Sequence, residues 1–78
     1  MMVYSLWDNE TNNLVAEYPN RQDALALVLR AIERNGVQDV ETLSLDVEDD
    51  RGQVTTIASG YELAALAHRE MLPMRLAG

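Results

Sequence analysis

The sequence predicts an α+β two-layer sandwich of order ββαββα, a four-stranded antiparallel sheet with two helices on one face. Three observations predict it. Residues 41–48 alternate, with Leu43, Leu45 and Val47 on one face and Thr42, Ser44, Asp46 and Glu48 on the other, the period of a half-buried strand. Two apolar segments are each preceded by a helix start signal, Asn20 for one and Ser59-Gly60-Tyr61-Glu62 for the other. Finally, an ungapped shift of 39, half of the 78 residues, superposes the two halves with similar landmarks.

The elements follow in order. Residues 2–7, with the β-branched Val3 and the aromatic Tyr4 and Trp7, suit a strand. The run Asp8-Asn9-Glu10-Thr11-Asn12-Asn13 is made of turn formers, and asparagine tolerates positive φ, so residues 14–18 return as a second strand that Pro19 ends. Asn20 is an N-cap with Asp23 three residues on, at the positive end of the helix dipole. On residues 21–34, Leu27, Ala31, Ala24, Val28, Ile32, Leu25 and Leu29 fill more than the arc one sheet covers. The flanks of that helix therefore need a second helix or another subunit. Asn35-Gly36 is a stop, with Gly36 suited to the left-handed region. After the alternating strand, Glu48-Asp49-Asp50-Arg51-Gly52 makes a hairpin turn and residues 53–58 return. The Ser59/Glu62 capping box opens the second helix, and Pro73 predicts its end at Leu72.

In the shifted comparison Ser5 meets Ser44, Leu6 meets Leu45, Val15 meets Val54, Ala26 meets Ala65, Leu27 meets Leu66 and Arg30 meets Arg69. The caps coincide too, Asn20 with Ser59 and Asp23 with Glu62. Either an internal ββα duplication or chance similarity would leave two alike ββα units, at about 2–35 and 41–72, in one domain over 1–72 with a tail over 73–78. Twofold symmetry would set equivalent strands side by side at the centre of the sheet. Leu45 lies on the apolar face of its strand, which places Tyr4, Leu6, Leu14, Ala16, Tyr18, Thr55 and Ile57 beneath the helices. The opposite face then carries Val3, Ser5, Trp7, Val15, Glu17, Thr42, Ser44, Asp46, Val54 and Thr56, including the single tryptophan.

Tyr4-Ser5-Leu6-Trp7-Asp8, Asn13-Leu14-Val15, Asp23-Ala24-Leu25 and the acidic turn ending at Arg51-Gly52 give a pattern with a known likeness. The chain resembles small bacterial single-domain families of hairpin–helix–hairpin type, some with a final helix. The resemblance covers most of the chain and implies a fold; it implies no activity.

Composition narrows the chemistry. With no cysteine there is no thiol nucleophile, disulfide or thiolate zinc site. Six basic residues, all arginine, stand against 13 acidic ones, a net charge of −7. That balance disfavours nucleic-acid binding, and the arginines form no cluster. No apolar run approaches the ~20 residues of a membrane span and no targeting segment is read, so a cytoplasmic location and no membrane partner are expected. His68 is the only histidine and lacks a partner base, so no catalytic residue is assigned. The cluster Asp46, Glu48, Asp49, Asp50 fails as a calcium loop: Gly52 falls one place late and Ile57 stands where a bidentate glutamate belongs. It is read as a solvated hairpin tip, with no metal and no cofactor. The four glycines are isolated and make no phosphate-binding loop.

A small non-catalytic, self-associating interaction or regulatory module is therefore expected, with a protein partner, foremost a second copy in a homodimer. The residues expected at the interface are Val3, Ser5, Trp7, Val15, Leu29, Thr42, Val54, Leu72, Met74 and Leu76, drawn from the open sheet face, the flank of the first helix and the apolar tail. Tryptophan anchors interfaces, and a lone aromatic on an open sheet face calls for cover. The alternatives are an antitoxin-like neutraliser of a protein partner and a small-ligand binder. The latter would have a pocket between sheet and helices or at a dimer seam, lined by Tyr4, Tyr18 and Tyr61. An enzyme is the reading with least support.

Overall fold

The computed structural model describes the backbone of residues 1–77 and the side chains of residues 1–71. The elements are β1 (Val3–Asp8), β2 (Asn13–Tyr18), α1 (Arg21–Asn35), a 3₁₀ turn (Val37–Val40), β3 (Leu43–Glu48), β4 (Val54–Ser59) and α2 (Gly60–Ala77). The strands form one antiparallel sheet of order β2-β1-β3-β4. Both helices pack on one face of it, which makes the predicted α+β sandwich.

The equivalent strands β1 and β3 do meet at the centre. Their register pairs Leu6 with Leu45, two residues separated by the same 39 positions as the internal offset, so a local twofold axis passes through that pair. Both leucines are fully buried, and each such side chain contributes about 1.5–3 kcal/mol on leaving water. Above them lie Ala24, Leu25, Val28 and Leu29 of α1 and Leu63, Ala64, Leu66 and Ala67 of α2. Equivalent helix positions trade volume: α1 has Ala24 and Leu25 where α2 has Leu63 and Ala64. At these two positions the exchange of one large and one small side chain conserves the combined volume, which a packed core tolerates. Val40 of the 3₁₀ turn, an element with no signal in the alternation, closes the core at its side.

The turns are built locally. Asn20 Oδ1 accepts the Asp23 amide at 2.9 Å, the expected cap. Asn12 takes φ 59 in the first hairpin, where Asp8 Oδ1 accepts the Glu10 amide at 3.0 Å. Asp49 Oδ1 accepts the amides of Arg51 and Gln53 at 2.9 and 3.0 Å, which makes this carboxylate the organiser of the second hairpin tip. Gly36 ends α1 at φ 95 and ψ 164, a positive φ but not the left-handed helical value expected. A bidentate ion pair joins the helices, Arg21 Nε to Glu70 Oε1 at 3.0 Å and Nη2 to Oε2 at 2.5 Å.

Two expectations about α2 are corrected. Ser59 is not its cap: it is the last residue of β4, paired with Ser44, and its side chain makes no capping bond among the described residues. The strand enters the helix without a spacer, and Gly60 makes the turn at φ 57, where a Cβ would sit 3.1 Å from the Glu41 carbonyl oxygen. The helix also does not stop at Leu72, since its backbone continues through Pro73 to Ala77. Proline forfeits its own amide bond and strains the preceding turn, a cost that does not forbid the helix beyond it.

Candidate functional site

The open face of the sheet is read from its register. Residues directly across from one another share a face, so three rows cross it. Leu14, Trp7, Ser44 and Ser59 form the first row, and Glu17, Ser5, Asp46 and Thr56 the second. Val3, Glu48 and Val54 form the third. Trp7 is exposed at 36% and flanked by Leu14 and Ser44. Ser5, Trp7, Glu17, Asp46, Glu48 and Val54 line one shallow depression of about 190 Å³. No arginine or lysine occupies these rows, so Glu17, Asp46 and Glu48 place three carboxylates on strand rows that carry no opposing charge among the described residues. Thr56 Oγ1 donates to Asp46 Oδ1 at 2.8 Å and fixes the middle row.

Of the residues expected at an interface, Val3, Ser5, Trp7 and Val54 lie on this face. Val15 does not. A bulge between Leu6 and Trp7 pairs Leu6 with Ala16 and Trp7 with Leu14, which leaves Val15 as the extra residue. Val15, itself exposed at 47%, lines a groove of about 270 Å³ beside α1 with Leu6, Leu27, Val28, Ala31 and Leu43, together with Asp8 and Asp39. Leu14, expected beneath the helices, takes its place on the open face beside Trp7 and is exposed at 43%. Strict alternation fails here because a bulge inserts one residue and reverses every side chain beyond it.

Leu29 is a core residue, 2% exposed, because α2 supplies the cover that the apolar arc of α1 demanded, with Met71 lining the groove beside it. Thr42 precedes β3, and its carbonyl accepts the Asn9 amide at 2.8 Å. The same turn places Asn9 Oδ1 3.5 Å from the donating Ser44 Oγ, and Ser44 is buried. The side chains of Leu72, Met74 and Leu76, also expected at the interface, lie outside the described residues.

Sequence reasoning placed Glu17 and Asp46 on this face but gave no carboxylate a functional role. The signal was present in the acidic excess of the composition, and the cross-strand register gathers it into adjoining rows. Elsewhere, Tyr4 and Tyr18 pair across β1 and β2 beneath the helices whereas Tyr61 is exposed on α2, so these tyrosines do not converge. His68 is exposed on α2. Among the described residues no three histidine or carboxylate side chains come together as a metal site, and no helix is long and apolar enough to cross a membrane.

Comparison with protein-family models, with curated proteins and with solved structures finds no match. Function therefore rests on the geometry of the surface.

Proposed function

We propose that the protein is a non-catalytic interaction module of the cytoplasm whose open sheet face binds an arginine- or lysine-bearing segment of a partner protein. The observation that supports it most is the arrangement of Glu17, Asp46 and Glu48 beside Trp7 in adjoining rows of a face that holds no basic residue among the described residues. Carboxylates on a sheet, with positions set by the pairing of the strands, give a cationic segment a fixed register. The tryptophan adds apolar area and a ring face for a guanidinium or ammonium group. The net charge of −7 steers a basic partner toward the molecule from a distance. A second copy is the wrong occupant for this face, because two such surfaces turned on each other would oppose carboxylate to carboxylate. Neutralisation of a basic protein partner, as an antitoxin does, is one role this surface serves.

Titration with an extended arginine-rich peptide tests the reading, with an acidic peptide of equal length as control. The arginine-rich peptide is expected to change Trp7 fluorescence and to shift the backbone amide resonances of β1 and β3 more than those of the helices. The variant E17Q/D46N/E48Q should bind it roughly tenfold more weakly, a loss of ~1.4 kcal/mol. Equal binding by the triple variant, or resonance shifts centred on the helices, would refute it.

A further inference from the structure

A second surface differs from the open sheet face in charge and pattern. In α2, Leu63, Ala64, Leu66 and Ala67 are buried, and Tyr61, Glu62, Ala65, His68 and Arg69 are exposed. The exposed residues recur at helical spacing and form one stripe. From its N-terminal end the stripe reads aromatic and acid, then a methyl group, then histidine and arginine. With histidine neutral its formal charge is zero, in a chain whose net charge is −7.

Such a stripe is its own complement. Two copies laid antiparallel about an axis through Ala65 set each Glu62 against the partner's basic end and each Tyr61 ring against an Arg69 guanidinium. Both ends of the contact are then satisfied by charge and by cation–π attraction. Alanine at the crossing lets helix axes approach to within ~8–10 Å.

Beside the stripe runs β4, an outer strand of the sheet. From Val54 to Ser59 it carries no charge and no proline, and Val54, Thr55 and Thr56 are exposed. The other outer strand, β2, carries Glu17 and is followed by Pro19, the devices by which sheet edges are kept from pairing. Between β4 and α2 a groove of about 380 Å³ is lined by Ile57, Ala58, Glu62, Leu66 and Arg69, together with Arg21, so the uncharged edge and the self-complementary stripe are continuous.

We propose that the β4 edge and the Tyr61–Arg69 stripe of α2 together form the twofold interface of a homodimer. The occupant is a second copy because the charge order of the stripe matches its own reverse. The two sheets join edge to edge, which leaves both acidic faces open.

Light scattering across a range of concentrations tests the proposal. The wild type should reach twice the 8.7 kDa chain mass. E62R and R69E should each give the single-chain mass, since each sets like charges together at both ends of the contact. E62R/R69E should regain the dimer mass, because the exchange restores the complement. T56K, which charges the edge strand, should also be monomeric. Circular dichroism melts of every variant separate loss of contact from loss of fold. A wild type that stays at the single-chain mass overturns the proposal. So does a dimer that survives E62R, R69E and T56K alike, or a folded double variant that remains monomeric.

Discussion

At the scale of single residues, two cap signals of similar strength have different outcomes, and the difference can be measured. Asn20 accepts the Asp23 amide and caps α1, so Asn20→Ala is expected to cost about 1 kcal/mol of unfolding free energy. Ser59 belongs to β4 and makes no such bond among the described residues, so Ser59→Ala should cost well under half of that. Urea unfolding of the two variants decides; equal losses would restore Ser59 to the role its sequence context suggests. Asn20 was legible because a cap is a local device, with Pro19 already ending the strand before it. Ser59 was not, because strand pairing with Ser44 extends to the last residue before the helix, and that partner lies 15 positions away in sequence. Gly60 bears the sharp turn instead, and the Glu41 carbonyl oxygen opposes any Cβ there.

At the scale of elements, both hairpins carry a bulge, and the bulges fall at equivalent places, after Leu6 in one central strand and after Leu45 in the other. Each leaves one aliphatic residue of an outer strand, Val15 or Ile57, turned toward the helix layer. The alternating pattern made the strands themselves legible, and it placed Ile57 beneath the helices. It misplaced Leu14 and Val15 because periodicity cannot show where one residue is inserted. Substitution checks the swap. Val15→Asp sets a third carboxylate beside Asp8 and Asp39 in the groove under α1, and it should lower stability by ~1 kcal/mol more than Leu14→Asp on the open face. Thermal melts with the reverse order would favour unbroken alternation. The continuation of α2 through Pro73 was hidden for another reason, since a proline signals a local penalty and not whether the rest of the helix outweighs it.

At the scale of the whole molecule, two half-size units share one core. Leu6 and Leu45 come from different halves, yet both are fully buried, paired with each other across the central strands in one core cluster with residues of both helices. A chain below ~40 residues rarely buries enough surface to fold alone. Fragments 1–39 and 40–78 are therefore expected to lack ordered circular dichroism separately and to gain sheet and helix signal on mixing; a fragment that melts cooperatively by itself would contradict this. The sandwich was legible at this scale because the offset of 39 is written in the sequence; Glu17 and Asp46 were placed on the open face too, but their alignment with Glu48 in adjoining rows was not legible, because cross-strand register is decided by pairing that no single strand records. The axis through Leu6 and Leu45 also bears on how the chain reaches this state. Each hairpin closes over a short turn and forms in ~1–10 μs, but β1 finds β3 only after a much longer loop has closed. The central pairing is therefore expected to be the slow event in folding, with the two leucines at the middle of its transition state. Shortening either to alanine should then slow folding by nearly the same factor, so that the symmetry of the native pair would reappear in the kinetics.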